Sequence, residues 1–270
     1  MFNRCFNYFM GTPAVTFFGK KEKQCPAKNG LDGQIMSEVY VLEYVRELES
    51  FFYSHRNDDD AEPMKKYMRD QFEFLGIKTP ERKKLLKTFI KEHGMPQENN
   101  FNQTIEELWQ LPEREYQYIA ISLLDKALKK LPVDIILLLE HLIVTKSWWD
   151  TIDSIASGLV GEFFRLHPHL KDITTRRWMD SGNMWLQRTA ILFQLSYKTE
   201  TDSVMLFKYI KESSDSDEFF IQKAIGWALR EYSKTEPAMV EKFIEEESLA
   251  PLSRREGLKV IKKRKKEKSS

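Results

Sequence analysis

Cysteine is nearly absent from this sequence. Cys5 and Cys25 are its only two, and both precede the periodic part of the chain. Neither a disulfide framework nor a thiolate metal site can therefore support the fold, and a reducing cytosol suits such a chain. Long apolar runs are missing too. No stretch reaches the roughly 18 consecutive apolar residues that a membrane-spanning helix needs. An excess of one charge is also lacking, since 42 basic and 41 acidic residues leave a net charge of +1. The histidines His55, His93, His141, His167 and His169 show no H-E-x-x-H or similar ligand spacing, so no metal is expected. No phosphate-cradling glycine loop and no G-x-S-x-G elbow occur, which argues against nucleotide hydrolysis and serine chemistry.

What the chain has in quantity is helical pattern. From Ser37 onward apolar residues recur at helical spacing, with short polar or proline breaks at Pro63, Pro80, Pro96, Pro112, Pro132, Pro168, Pro237 and Pro251. Alternating Val-Ile-Thr stretches are scarce, so essentially no strand is expected. Residues 1–35 read as a disordered extension: Arg4 precedes the apolar-rich Phe6–Phe18, but Gly11-Thr12-Pro13 interrupts it and no small-x-small cleavage site follows. Met36 opens the ordered pattern. The other end is strongly basic, with Lys262, Lys263, Arg264, Lys265, Lys266 and Lys268 against Glu267. Residues 263–270 read as a disordered basic tail, of a kind that suits an anionic partner.

An internal echo indicates the architecture. Trp185-Leu186-Gln187-Arg188-Thr189-Ala190 and Phe220-Ile221-Gln222-Lys223-Ala224-Ile225 share an order of aromatic, aliphatic, Gln, basic and small residues at an offset of 35. Gln117, in Tyr116-Gln117-Tyr118, precedes Gln187 by 70, twice that step. A period near 35 built of helices predicts stacked helical hairpins, each burying its face against the next, around an extended concave groove.

Functional residues belong on the groove-facing helices. In the last of these helices Ile221, Ile225, Ala228, Leu229 and Tyr232 make a core stripe. That leaves Phe220, Lys223, Trp227 and Arg230 on another face, where rings alternate with cations. Such interleaving suits nucleic acid, because cations meet phosphates while rings meet sugars or bases; rings that merely seal the next repeat are the plainer reading. In Lys146–Asp153 a second combination stands out. Trp148, Ile152, Ile155 and Leu159 recur at spacings of 4, 3 and 4, which predicts a core stripe, and Trp149 shares the neighbouring face with Asp153. A helix start capped by Ser147 is the alternative.

Several ordered stretches carry a resemblance. Thr145–Asp150 with Asp153, Trp185–Arg188, Phe219–Trp227 with Leu229–Tyr232, and the flanking Ala61–Met64, Phe74–Ile77, Thr79–Arg82 and Leu249–Glu256 are similar to the AlkD family of bacterial alkylpurine DNA glycosylases, over about Met36 to Lys262. The resemblance implies an all-α, curved solenoid of HEAT-like helical hairpin repeats forming a single domain over residues 36–262. It implies excision of N3- and N7-alkylated purines from double-stranded DNA without a base-flipping pocket, by a monomer with no cofactor, in the bacterial cytoplasm near the nucleoid. Carried over, the family's catalytic aspartate falls on Asp153, its sugar-facing tryptophans on Trp149 and Trp227, and its groove arginine on Arg188. Tyr67 and Thr79 are weaker DNA-contact candidates, and Trp185, Phe220, Lys223 and Arg230 join them from the reading of the faces. The competing class is a helical-repeat module that binds nucleic acid or protein without catalysis. A carboxylate at the centre of a phosphate-binding groove speaks against it, because like charge weakens DNA binding.

Overall fold

The computed structural model describes residues 30–269, with side chains from 34 to 267. The expected extension thus lies outside the described residues up to residue 29. Helix α1 (Gly30–Tyr53) opens ahead of Met36. It is followed by α2 (Asp58–Tyr67), α3 (Thr79–His93), α4 (Phe101–Gln110), α5 (Arg114–Ala127) and α6 (Ile135–Val144). Then come α7 (Trp149–Ser154), α8 (Gly161–Leu166), α9 (Pro168–Asp180), α10 (Met184–Leu192), α11 (Ser203–Glu212), α12 (Phe219–Tyr232), α13 (Pro237–Glu246), α14 (Pro251–Gly257) and α15 (Lys259–Ser269). Among the described residues the strand-like feature is an isolated bridge between Glu73 and Glu113. No described helix is long and apolar enough to cross a membrane.

The helices stack as repeats, and the residues of the internal echo show what the period does. Gln117 Nε2 donates to the Trp109 carbonyl at 3.0 Å, Gln187 Nε2 to Met179 at 3.0 Å, and Gln222 Nε2 to Ser216 at 3.0 Å. In each case an amide near the start of one helix satisfies a carbonyl left free where the preceding helix or turn ends. The repeated glutamine is thus a stitch within each hairpin, and it keeps its offset because the hairpins keep their length.

Local sequence sets the helix ends. Asn57, Asn183 and Asp202 cap α2, α10 and α11 with side-chain acceptors, and Pro80, Pro168, Pro237 and Pro251 stand in first turns, where a missing N–H costs nothing. Pro63 differs from the expectation of a break, since α2 runs through it. Gly76 is demanded by geometry: its φ is +82°, and a Cβ there would stand 1.9 Å from the Asn57 carbonyl oxygen. The loop it serves is pinned by buried Glu115, which accepts from the backbone N–H of Leu75, Gly76 and Ile77 at 3.0 Å each.

The basic end is ordered rather than a loose tail. Residues 259–269 form α15, with Ile261 buried and Arg264 donating to the carbonyls of Ser233 and Lys234. A charge run read by composition alone looks like disorder; here Ile261 and Arg264 anchor it.

Candidate functional site

Helix α7 is short, and it is held from both sides. From α5, the fully buried Arg114 donates Nε and Nη2 to the two carboxylate oxygens of Asp150 at 2.9 and 2.8 Å, Nη1 to the Lys146 carbonyl and Nη2 to Thr151 Oγ1. Its guanidinium lies 3.8 Å from the Phe72 ring centroid, and Tyr118 completes the cage with a 2.6 Å bond to Asp150. From α10, Arg188 donates Nε and Nη2 to the two oxygens of Asp153 at 2.8 and 2.9 Å, and Nη1 to the Phe220 carbonyl. Two bidentate arginine–carboxylate pairs therefore flank one helix, the geometry in which such pairs are strongest and most directional. Beyond α7 the chain winds as a π-helix over Ile155–Val160 before α8, a local irregularity of the sort often found beside functional sites.

Trp149 and Asp153 open into a cleft of about 380 Å³. Trp227, Lys223 and Arg230 line its α12 side, Phe220 and Trp148 its inner wall, and Tyr67 and Arg69 its lip. Tyr67 is 70% exposed and meets Trp149 edge-on at 5.9 Å. Burial pushes the Asp153 carboxyl above its ordinary value, opposed by the hydrogen-bonded Arg188 guanidinium. Each of its oxygens spends one lone-pair direction on Arg188 and retains another.

The expected residues converge with three corrections. Arg188 is 4% exposed and spends donors on Asp153 and Phe220, so in this arrangement it holds the carboxylate instead of presenting its charge to phosphates. Trp185 does not line the cleft; it backs the wall, with its ring 5.0 Å from Phe220 and 6.2 Å from Trp148. Thr79 lies in an adjoining hollow of about 910 Å³, on the far side of Tyr67, with Arg82, Lys83 and Lys87. Lys223 and Arg230 do face the cleft, and both reach one carboxylate, Glu256, at 3.6 and 3.1 Å. Lys259 joins them at 2.7 Å, and these cations hold Glu256 below its ordinary pKa, Lys259 most of all. Glu256 was not among the expected site residues, although it closes the quoted Leu249–Glu256 stretch. Gly226 brings it there: a Cβ at that position would stand 2.5 Å from Glu256 Cβ, so α14 can press against α12 only with glycine.

Trp148 is also reassigned. Ile152, Ile155 and Leu159 are buried as the stripe requires, but α7 starts one residue later, and Trp148 is its extended N-cap with φ −156°. Ser147, the alternative cap, instead donates to Ile143. The Trp148 ring is half-buried against Phe220 at 5.2 Å. Trp148→Ala should therefore cost about 2 kcal/mol, less than the ~3–5 of a fully enclosed ring, and slacken the cleft wall. Trp149→Ala should melt within a few degrees of wild type. Melting curves of the two variants check both, and a larger loss for Trp149→Ala would place that ring in the core.

A stack of helical hairpins here gathers rings, cations and a restrained carboxylate in one open cleft. The profile described as DNA alkylation repair enzyme matches residues 48–261, and the chain belongs to that family. Among solved structures it is similar to a protein described as a predicted DNA alkylation repair enzyme from Enterococcus faecalis, at 37% identity and a TM-score of 0.71, over 76% of this chain and 95% of that one. No curated protein matches.

Proposed function

We propose that the protein hydrolyses the N-glycosidic bond of N3- and N7-alkylated purines in duplex DNA. The observation that carries this reading is the Asp153 carboxylate, held bidentately by Arg188 at the base of a cleft flanked by Trp149 and Trp227. Alkylation at N3 or N7 makes the purine cationic, so the base leaves as a neutral molecule with the electron pair of its bond to C1′. No acid is needed to protonate it. Positive charge develops on the sugar, and three features of the cleft meet it: the lone pairs of Asp153 not committed to Arg188, and the electron-rich faces of Trp149 and Trp227. Water then adds at C1′ and gives up its proton, with Asp153 within the same cleft to orient it. The cleft is open, which suits a lesion approached while still stacked better than a base flipped into an enclosed pocket.

Incubation with duplex carrying N7-methylguanine or N3-methyladenine, followed by scission at abasic sites, tests the proposal. Strand breaks at the lesion are expected; tight binding with no abasic product would leave a non-catalytic module. The pH profile adds a signature. Because burial raises the Asp153 pKa above 3.8, the active carboxylate form should be lost on acidification at a pH above that value. Single-turnover rates should therefore show an acid limb, and Asp153→Asn should flatten it.

A further inference from the structure

We propose that α15 carries a second duplex-binding surface, a lysine face that grips the phosphate backbone of DNA flanking the lesion. It rests on reading the cleft as a DNA site, and three of its four lysines, Lys262, Lys263 and Lys266, lie beyond the family match, which ends at residue 261.

The helical register separates α15 into two faces. Ile261, Arg264 and Lys265 recur at 3 and 4 residues and make the packed face: Ile261 is buried, Arg264 bonds the backbone after α12, and Lys265 pairs with Glu241 at 2.6 Å. Lys259, Lys262, Lys263 and Lys266 fall on the opposite side, about 180° round the helix. All four are exposed. Among the described residues, Glu256 meets Lys259 at 2.7 Å and exposed Glu267 stands 3.8 Å from Lys263, and both lysines stay exposed.

The face is also continuous with the site. Lys259 shares Glu256 with Lys223 and Arg230 of the cleft, so the lysine row begins at the cleft rim and runs outward from it. From Lys259 to Lys266 the helix rises about 10 Å, a span that matches about three phosphates of one strand. The packed face fixes the row's direction, so the helix itself does not have to be ordered on binding. An anionic lipid surface would also attract lysines, but flat membrane contact gives no reason for the row to start in a cleft.

The test uses the full chain with Lys262, Lys263 and Lys266 replaced by Gln, beside the triple Lys→Arg variant and a control with the exposed Lys91, Lys208 and Lys242 replaced by Gln. Affinity for duplex extending well beyond the lesion is measured across salt concentrations. The α15 Gln variant should lose about 2 to 3 units from the slope of log affinity against log salt. The Arg variant and the control should keep the wild-type slope, and all should melt alike. Single-turnover excision at saturating enzyme should not change. An unchanged slope in the Gln variant, or an equal loss in the control, overturns the proposal. So does loss of binding to phosphatidylglycerol vesicles with the DNA slope intact. Wild-type protein that binds no duplex at all would instead bring down the reading of the cleft, and this surface with it.

Discussion

Asp153→Asn should lower single-turnover excision of alkylpurines about a hundredfold, the size of loss seen when one preorganised electrostatic partner of a developing charge is removed. Duplex affinity should hold or rise, because a negative charge leaves a surface that meets phosphates. The substitution keeps one acceptor oxygen for Arg188, so the fold is retained at a cost of a few kcal/mol. Arg188→Ala is the informative partner. It leaves Asp153, whose side chain is 15% exposed, without its cation, and burial then drives the carboxyl further toward its neutral form. Excision should fall here as well, but with an acid limb displaced upward in pH, so that raising the pH restores part of the rate. Asp153→Asn cannot be rescued that way. The salt dependence of DNA affinity should be close to wild type in Arg188→Ala, since a buried, paired guanidinium releases no counterion; a slope flatter by about one unit would return Arg188 to phosphate contact. Wild-type excision in Asp153→Asn would remove the carboxylate from the mechanism.

The helices were legible because they depend on local periodicity, and the repeat because each hairpin reuses a glutamine in the same place. The core stripe of α12 emerged intact: Ile221, Ile225, Ala228, Leu229 and Tyr232 are all buried, and the rings and cations opposite them do share one cleft. What escaped sequence reasoning depends on partners far along the chain. Arg188 and Asp153 lie 35 residues apart, and Arg114 and Asp150 lie 36 apart. Nothing in a helical wheel says that these charges will be buried against one another. Arg188 therefore read as a free cation, and Arg114 did not stand out at all. Trp148 failed for a different reason. Its spacing to Ile152 fits a stripe, yet the helix begins only at Trp149, and an extended residue has no place in a 3.6-residue period. The basic end misled through composition, since anchoring by Ile261 and Arg264 is a matter of contacts that charge counting does not register.

Arg114→Ala should be the most destabilising of these changes. Arg114 is 0% exposed and Asp150 is 6% exposed at the side chain, so truncating the arginine strands a carboxylate in the interior with Tyr118, among the described residues, as its remaining side-chain donor. Breaking a buried pair from one side costs about 3–5 kcal/mol, which for a domain of this size lowers the melting temperature by roughly 10 °C. The loss should extend to chemistry, because the same arginine ties Lys146, Asp150 and Thr151 at the start of α7, the helix that presents Trp149 and Asp153. With that end released, Arg188 alone holds the helix, and the carboxylate is no longer fixed relative to the rings. Removing both partners separates the two effects: Arg114→Met with Asp150→Asn buries no unpaired charge and should recover much of the melting temperature. It does not restore the fork that orients α7, so single-turnover excision should stay low in the double variant although the protein is stable. Thermal melting beside excision rates for the single and double variants decides the point. Full recovery of both together would mean that Arg114 serves stability alone, and that α7 is positioned by Arg188 and its own buried stripe.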